Sequence, residues 1–242
     1  NSKYTSIVIP ITNIYNDEDY SIKLFIPYAI EFTSDNMVFD YSERGNIGFK
    51  NNVTTDTDGA FFSGNNSYVN CGLNNYDFNK KITIMIKVKF NDLNSDGQQH
   101  IIGNWESAGG GIVKNENNTL SFELFLDDGY KRVTSNTVVE KNKWYTIIGI
   151  YNGSKLSIYV NGVLEKEITN NNVIKKSALP FYIGGNPETS GNAEGCSKIT
   201  VENALVYHDS LLWLTANGYT NDVSSDDYGL SSTNLLFYYK FK

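Results

Sequence analysis

The sequence has few of the residue types that carry out proton transfer, metal binding or redox chemistry. Its 242 residues include only two cysteines, two histidines and two methionines. The Gly-x-Ser-x-Gly, His-Glu-x-x-His, P-loop and Cys-x-x-Cys motifs are all absent. His100 and His208 are the only side chains with an ordinary pKa near neutral pH, and we expect both at strand ends on the surface. These absences predict that the chain is not an enzyme.

Positive charge and long apolar runs are scarce as well. The formal net charge is −7 with a pI near 4.9, and no basic run occurs. This balance argues against nucleic acid or an anionic membrane surface as a partner. No apolar segment approaches the roughly 18 residues that a membrane-spanning helix needs.

Aromatic and β-branched residues are abundant, and their spacing predicts strands. The clearest stretch is 142–168, where Asn152-Gly153 and Asn161-Gly162 separate three apolar runs. These dipeptides supply the positive φ angles of tight hairpin turns, so the stretch predicts a three-stranded antiparallel meander. Its middle strand alternates apolar with polar residues, which predicts one buried face.

The same period of two recurs along the chain, while no sustained helical period is found. In residues 81–90, Ile82, Ile84, Ile86, Val88 and Phe90 share one face, and the opposite face is predicted to meet water. Further strands are expected at 4–14, 21–32, 100–105, 180–185, 198–208 and 234–242, and a pair of strands at 112–126 with its turn at 115–118. A long polar loop is expected at 186–195 and a helical turn in 209–218. The first and last strands are expected to pair, although the last could instead begin a second repeat.

Two regions carry a family resemblance. One is the strand that starts at Trp144 and runs through an Asn-Gly turn to the Ile-Tyr-Val-Asn-Gly segment at 158–162. The other is the Asp-Tyr-Ser-Glu-Arg-Gly-Asn loop at 40–46, followed by the Phe-Ser-Gly-Asn-Asn-Ser-Tyr-Val strand at 62–69. Together they resemble the laminin G-like, concanavalin A-like lectin and glucanase superfamily. The resemblance implies an all-β, two-sheet antiparallel jelly-roll sandwich with minor helix.

The domain organisation follows from length and from the start of the chain. Turn spacing and length favour one domain over residues 1–242. Because Asn1 stands first, without an initiating Met or a secretory segment, we expect a fragment or processed part of a larger multidomain protein.

Jelly-roll glucanases, which the chain resembles, carry carboxylates at alternate positions of one strand. The nearest match is the segment from Glu123 to Asp127, where Phe125 occupies the middle position. In an extended strand the two carboxylates would lie about 13 Å apart, beyond the spacing of paired glycosidase carboxylates. This spacing does not favour hydrolysis by paired carboxylates, and we expect a binding module without hydrolase activity.

The resemblance also implies a structural calcium ion between the opening loop and a late strand. The matching positions are Asp40, Ser42, Asn46 and Glu202, which offer the hard oxygen ligands that Ca²⁺ prefers. The family more often has Asp-Glu where this chain has Glu202-Asn203. The alternative is that these are ordinary turn and surface residues.

Sugar binding needs a flat aromatic face with amides and carboxylates around it. The candidates share positions in loops that the jelly roll would bring to one rim: Trp105, Tyr130, Asp127, Asp128, Asn186, Glu188 and Asn192. The alternative is that Trp105 and Tyr130 are core or hairpin-end residues. Trp144 is expected in the core, and Trp213 is expected to hold the late turn.

Cys71 and Cys196 leave two alternatives open, one disulfide or two separate thiols.

These features favour a carbohydrate-binding or adhesion module, secreted or displayed on a cell or virion surface, with a glycan or glycoprotein ligand. The alternative is a structural or receptor-binding domain of a phage tail, a pilus or a multidomain toxin, with a protein partner. A glycan array would separate the two.

Overall fold

The computed structural model describes residues 36–42, 44–94, 97–210 and 234–241. The chain divides into two compact units, residues 1–32 and residues 33–242, and every described residue belongs to the second unit. The strands expected at 4–14 and 21–32, most of the helical turn in 209–218, and Trp213 lie outside the described residues. The prediction of one domain over 1–242 therefore stays a prediction.

The described ranges contain eighteen β-strands and no α-helix. In chain order they are β1 (Met37–Val38), β2 (Gly48–Asn51), β3 (Val53–Asp56), β4 (Gly59–Phe62), β5 (Tyr68–Asn70), β6 (Ile82–Phe90), β7 (Gln99–Gly103), β8 (Gly110–Lys114), β9 (Thr119–Leu126), β10 (Gly129–Val138), β11 (Trp144–Tyr151), β12 (Lys155–Val160), β13 (Val163–Thr169), β14 (Tyr182–Ile183), β15 (Asn186–Pro187), β16 (Ala193–Glu194), β17 (Ile199–Tyr207) and β18 (Leu235–Lys240).

Two large sheets hold most of these strands. The first sheet has the order β1-β2-β5-β14-β7-β8-β9-β10, and the second has the order β13-β12-β11-β6-β17-β4-β3, with β18 also paired to β17. Neighbouring strands in both sheets are antiparallel. The predicted two-sheet sandwich is confirmed.

The core lies between the sheets and is filled by alternate residues of each strand. Ile82, Ile84, Ile86, Val88 and Phe90 of β6 are all buried there, as their spacing predicts. From the first sheet, β9 contributes its own alternate set, Leu120, Phe122, Leu124 and Leu126.

Facing side chains of the two sheets fit closely in this core. A Cβ atom on Gly149 of β11 would lie only 2.4 Å from the Phe122 ring. The small residue in the second sheet therefore makes room for the large one in the first.

The meander at 142–168 is confirmed as β11, β12 and β13. Its second turn uses the expected backbone, with φ of 49° at Asn161 and 81° at Gly162. The side-chain amide oxygen of Asn161 also accepts a hydrogen bond from the backbone N–H of Thr146, at 2.9 Å. The turn is thereby tied to the first strand of the meander.

The outer face of the second sheet is more buried than the sequence predicts. Met85 of β6 is fully buried in a second apolar cluster with Ile148, Leu205 and Tyr238. Thr83 is also buried, and its hydroxyl donates to the Asp209 carbonyl at 2.7 Å. The prediction of a water-exposed face was wrong at these positions, because a period of two marks two faces without saying whether both are covered.

Later strand predictions are confirmed with changed bounds. The strand expected at 180–185 is only β14, and the polar loop expected at 186–195 contains the β15–β16 hairpin. The terminal strand is β18, which pairs with β17. Its expected pairing with the first strand lies outside the described residues.

Cys71 and Cys196 are separate thiols in this structure. Cys71 is buried in the core, and burial raises the pKa of its thiol well above the ordinary value. Burial also raises the pKa of the Cys196 thiol. Neither thiol is therefore primed for nucleophilic chemistry at neutral pH.

Candidate functional site

The outer face of the first sheet carries a row of paired polar residues along β9 and β10. Antiparallel register places Arg132 opposite Glu123 and Thr134 opposite Ser121. Because the intervening residues of β9 fill the core, these side chains project from the opposite face. The site is thus fixed by two rigid neighbouring strands.

A buried carboxylate anchors this row. Glu123 is only 2% exposed, and its Oε1 atom lies 2.5 Å from an Arg132 guanidinium nitrogen and 2.6 Å from the Gln98 side-chain nitrogen. Burial acts to lower the pKa of Arg132, but the carboxylate of Glu123 and the phenol of Tyr130 outweigh it and raise that pKa. The guanidinium is held in one orientation while its side chain stays 40% exposed.

Arg132 and Thr134 of this row line, together with Gln98, an open cleft of about 470 Å³, which we name the polar cleft. Its wall includes Asn115, whose side-chain nitrogen donates to the hydroxyls of Thr119 at 2.9 Å and Ser121 at 2.8 Å. The lining residues are Gln98, Asn115, Glu116, Asn117, Thr119, Arg132 and Thr134. The lining therefore offers both hydrogen-bond donors and acceptors at fixed places.

Tyr130 stands beside this cleft on β10 and is 42% exposed. Its hydroxyl accepts a hydrogen bond from Arg132 Nε at 2.9 Å, and its ring packs on Phe125 with centroids 5.2 Å apart. Burial and the nearby Glu123 carboxylate raise the pKa of the phenol. The structure thus places Tyr130, a predicted ligand-binding residue, beside Arg132 and Glu123. These two charged residues were not predicted to bind a ligand.

Asp127 and Asp128 form the turn between β9 and β10. Asp128 pairs with Lys131 at 3.0 Å and accepts a hydrogen bond from Asn170 at 3.0 Å, and the hydrogen bond from Lys131 lowers the pKa of its carboxyl group. The backbone N–H of Asp127 donates to the carbonyl of Val173 at 3.0 Å. Both residues are exposed, and their contacts hold the turn in place.

Trp105 packs against the first sheet and is only 5% exposed. A Cβ atom on Gly103 or Gly111 would come within 2.6 Å of its ring. The indole therefore packs directly against the backbone of these two glycines. His100 packs against it with ring centroids 4.4 Å apart. The ring is therefore packed and offers no open face to a sugar.

Asn186, Glu188 and Asn192 belong to the β15–β16 hairpin. The backbone N–H of Glu188 donates to the Asn192 carbonyl at 3.0 Å, closing the hairpin. Asn186 is 4% exposed, and its side-chain nitrogen donates to Glu106 at 3.3 Å and to Glu194 at 2.9 Å. The structure therefore brings this hairpin to the loop that contains Trp105.

The two glutamates that Asn186 bonds line a second cleft of about 410 Å³, which we name the acidic cleft. Its lining residues are Glu106, Glu188, Thr189, Ser190 and Glu194. Glu106 and Glu194 were not predicted as site residues, since they come together only when the hairpin folds back over the sheet. The acidic cleft and the polar cleft share no lining residue in the described ranges, so the predicted rim consists of two separate groups.

A laminin G-like family model, described as the concanavalin A-like lectin/glucanases superfamily, matches residues 63–198, more than half of the chain. The chain belongs to this superfamily. The resemblance predicted from the sequence is confirmed.

Solved structures share the superfamily fold at low identity. Trypanosoma rangeli sialidase in complex with 2,3-difluorosialic acid is 19% identical, with a TM-score of 0.55 over 74% of this chain and 31% of the sialidase. The botulinum neurotoxin serotype G binding domain is 15% identical, with a TM-score of 0.56 over 74% of this chain and 49% of that domain. The receptor binding domain of the botulinum neurotoxin C/D mosaic serotype is 14% identical, with a TM-score of 0.53 and the same two coverages.

These likenesses establish the fold alone. This chain spans about a third to a half of the length of these three structures. A comparison with curated protein sequences found no match. In the described part of the chain, no helix is long and apolar enough to cross a membrane.

The calcium ligands implied by the superfamily do not fit a metal ion well. The Asp40 carboxylate already accepts hydrogen bonds from the backbone of Ser42, Asn46 and Tyr238 and from the Ser42 hydroxyl. Glu202 instead pairs with an ammonium group, that of Lys87, at 2.9 Å. Calcium binding stays a prediction, and these contacts do not favour it.

Two sequence predictions outside the site residues were wrong. Trp144 is partly exposed instead of lying in the core, with the Lys89 ammonium 5.0 Å from its ring centroid. His100 is half-buried instead of lying on the surface, its Nδ1 atom is buried, and this burial lowers its pKa to about 4. His208 is half-buried, with Nδ1 2.8 Å from the Tyr76 hydroxyl.

Proposed function

We propose that this domain is a non-catalytic carbohydrate-binding or adhesion module that binds a glycan in the polar cleft beside Tyr130. The observation that carries the proposal is the Gln98–Glu123–Arg132 network at the cleft, in which Glu123 and Arg132 face each other on adjacent strands. Preorganised polar groups next to a partly exposed aromatic ring are what a pyranose ring requires.

The network also fits a binding role better than hydrolysis. A glycosidase needs two carboxylates, one that donates a proton and one that acts as base or nucleophile. Glu123 instead forms an ion pair with Arg132 and is 2% exposed. Its charge thus serves to orient the guanidinium, whose remaining N–H groups are available to ligand hydroxyls.

The fold relatives are consistent with this proposal. One is a sialidase in complex with a difluorinated sialic acid, and others are neurotoxin domains described as binding or receptor binding. A module of this kind would act outside the cell, secreted or displayed on a cell or virion surface. Calcium binding, which the superfamily resemblance implies, is a separate prediction, and the contacts of Asp40 and Glu202 do not favour it.

A glycan array with the native protein and Tyr130→Ala tests the proposal. We expect the native protein to bind a defined glycan class and the variant to bind it about tenfold more weakly, since a stacked aromatic contributes roughly 0.5–1.5 kcal/mol beyond its buried area. Tyr41→Ala is the matched control, because Tyr41 is similarly exposed at 54% but lines a different cleft, whereas Tyr130 contacts Arg132 of the polar cleft. Equal loss in both variants, or no glycan bound by the native protein, would contradict the proposal.

A second candidate function is binding of a protein receptor, and a separate surface favours it. Phe39 and Tyr41 are 59% and 54% exposed, and they line an open cleft of about 260 Å³. Exposed aromatic residues are typical of protein interfaces. Binding to cells that survives enzymatic removal of their glycans and is lost in Phe39→Ala would support this function over the first.

A further inference from the structure

The cleft beside Phe39 and Tyr41 carries positive charge in an otherwise acidic chain. It lies where β1, the end strand of the first sheet, and β3, the end strand of the second, come together with the end of β18. We name it the cationic cleft; its lining includes Met37, Phe39, Tyr41, Lys50, Thr55 and Lys240. None of the described lining residues is acidic, although acidic residues outnumber basic ones by 27 to 20 in the sequence.

The acidic residue between the two exposed rings is turned away from this cleft. Asp40 stands between Phe39 and Tyr41 in the chain, but its carboxylate accepts hydrogen bonds from the backbone N–H groups of Asn46 and Tyr238, both at 2.8–2.9 Å. It does not line the cleft. The Tyr41 N–H also donates to the Tyr238 carbonyl at 2.8 Å. These bonds fix the backbone that carries both rings and leave the charge of the lysines without a neighbouring carboxylate in the lining.

The two lysines of the cleft have no counter-charge among the described residues. Neither Lys50 nor Lys240 forms an ion pair in these ranges. The Lys240 ammonium lies 5.4 Å from the ring centroid of Tyr41 and 5.2 Å from that of Tyr238. Such contacts attract the cation to the rings but do not neutralise it. The cleft is therefore prepared for an anionic group.

The remaining lining favours a protein segment over a glycan. Sugar hydroxyls both donate and accept hydrogen bonds, and the described lining has no side-chain amide or carboxylate to meet them, in contrast to the polar cleft. Its volume of about 260 Å³ also lies below the roughly 300–1,000 Å³ of small-molecule sites.

Exposed apolar residues extend beyond the cleft itself. Phe39 and Tyr41 are 59% and 54% exposed, and Met37 lies opposite Phe49 in the β1–β2 register, where Phe49 is 45% exposed. Residues opposite each other on antiparallel strands share one face of the sheet. The surface thus combines aromatic side chains with two cations, and exposed aromatic residues are typical of protein interfaces.

We propose that the cationic cleft binds an acidic segment of a protein partner, in which Asp or Glu side chains stand next to aromatic or aliphatic ones. Lys50 and Lys240 pair with its carboxylates, and Phe39 and Tyr41 pack against its apolar side chains. Complementary charge of this kind selects the partner and speeds association. The inference rests on the second candidate function, binding of a protein receptor, and gives the chemistry of the receptor segment. It does not depend on the polar cleft.

Selection from a phage-displayed library of random peptides tests the inference with the native protein as bait. We expect enrichment of peptides that combine several Asp or Glu residues with at least one aromatic residue. A synthetic peptide of the enriched sequence, titrated by fluorescence anisotropy, should bind about tenfold more tightly than its counterpart with Asn and Gln in place of Asp and Glu. Its affinity should fall as NaCl rises from about 0.1 M to about 1 M, because salt screens exposed charges.

Charge reversal assigns the binding to the cleft. Lys50→Glu and Lys240→Glu should each weaken peptide binding by about tenfold or more, since repulsion replaces attraction. Lys166→Glu is the matched control and should leave binding unchanged, because Lys166 is exposed on β13, at the opposite edge of the second sheet from β3. Melting curves verify that the variants fold, and Lys50→Glu leaves the contacts of Lys240 with both rings in place.

Three results would overturn the inference. The first is enrichment of no peptide, or of neutral or basic peptides, by the native folded protein. The second is equal peptide binding by the native protein, Lys50→Glu and Lys240→Glu. The third is displacement of the peptide by a heparin oligosaccharide that binds more tightly, which would assign the cleft to an anionic glycan.

The same variants separate this inference from the proposed functions. Cell binding that is lost in Phe39→Ala but kept in both Lys50→Glu and Lys240→Glu would retain a protein receptor and exclude an acidic segment. Tyr130→Ala should keep peptide binding, so failure at the polar cleft and failure at the cationic cleft are told apart.

Discussion

At the scale of single residues, the region around Trp105 is where the structure departs most from what the residue types suggest. Gln99, His100 and Trp105 each bury a polar atom that has no partner within the described ranges. His100 is also confined by the chain, since a Cβ atom on Gly195 would lie 2.5 Å from its ring. A histidine in this position is held neutral because its charged form would lose hydration without gaining a partner.

The lowered pKa of His100 predicts an acid-sensitive component of stability. Burial lowers its pKa from 6.5 to about 4, so as pH falls from 6.5 to 4 the unfolded chain takes up a proton that the folded chain does not. The free energy of unfolding should therefore decrease across this window by up to roughly 3 kcal/mol from this group. Urea unfolding of the native protein and of His100→Gln at several pH values measures it.

The difference between the two proteins isolates the histidine, because carboxylates that titrate below pH 5 contribute equally to both. We expect the native protein to lose more stability than His100→Gln between pH 6.5 and 4, and the gap to be constant above pH 7. Parallel curves over the whole range would show that His100 titrates freely in the folded state.

The tryptophans illustrate what sequence can predict about a single residue. Trp144 was assigned to the core because it begins a central strand, although it shares strand parity with Ile148, which lies in the outer cluster. Its neighbour Tyr145 has the other parity and is 3% exposed in the core. The alternation of side chains along β11 could therefore have predicted that Trp144 lies on the outer face of the sheet. The burial of Trp105 could not be predicted from alternation along one strand. It depends on two glycines from different strands, Gly103 and Gly111, against which the ring packs.

At the scale of elements, the strongest local signals gave the most accurate predictions. The Asn-Gly turns fixed the β11–β12–β13 meander, and the alternation in β6 gave its core-facing residues correctly. The β15–β16 hairpin had no such signal, because its two strands are only two residues each. The acidic cleft that this hairpin forms with Glu106 was for that reason not predictable.

The polar cleft was predictable in part. Tyr130 was predicted as an aromatic ligand-binding residue in a rim loop, and a period of two along β10 leads from it to Arg132 and Thr134. Its partner Glu123 was considered only as part of a catalytic pattern. The register that pairs Arg132 with Glu123 depends on the turn at 127–128, and the contribution of Gln98 depends on a distant segment.

The turn between β12 and β13 provides a test of element stability. Gly162 has a φ of 81°, a conformation that costs an L-amino acid about 1–2 kcal/mol. Gly162→Ala should lower the free energy of unfolding by that amount in urea denaturation. Val163→Ala is the control, since Val163 is 62% exposed and should change stability little. Equal stability of native protein and Gly162→Ala would contradict the turn assignment.

At the scale of the whole molecule, the sandwich separates the residues of the core from those of the proposed binding surface. The core between the sheets uses one parity of each strand, so the other parity of the first sheet is available to carry the polar cleft. The acidic cleft forms on a hairpin that Tyr68 fastens through its hydroxyl to the Gly191 carbonyl at 2.8 Å. The residues that line the two clefts can therefore vary without disturbing the core.

The most direct test of the account is NMR chemical-shift mapping of the isotope-labelled protein with the glycan that binds best on an array. The account predicts that the largest shifts fall on Gln98, on residues 115–119 and on residues 130–134, around the polar cleft. Shifts confined to the surface of Phe39 and Tyr41, or to the outer face of the second sheet, would contradict it.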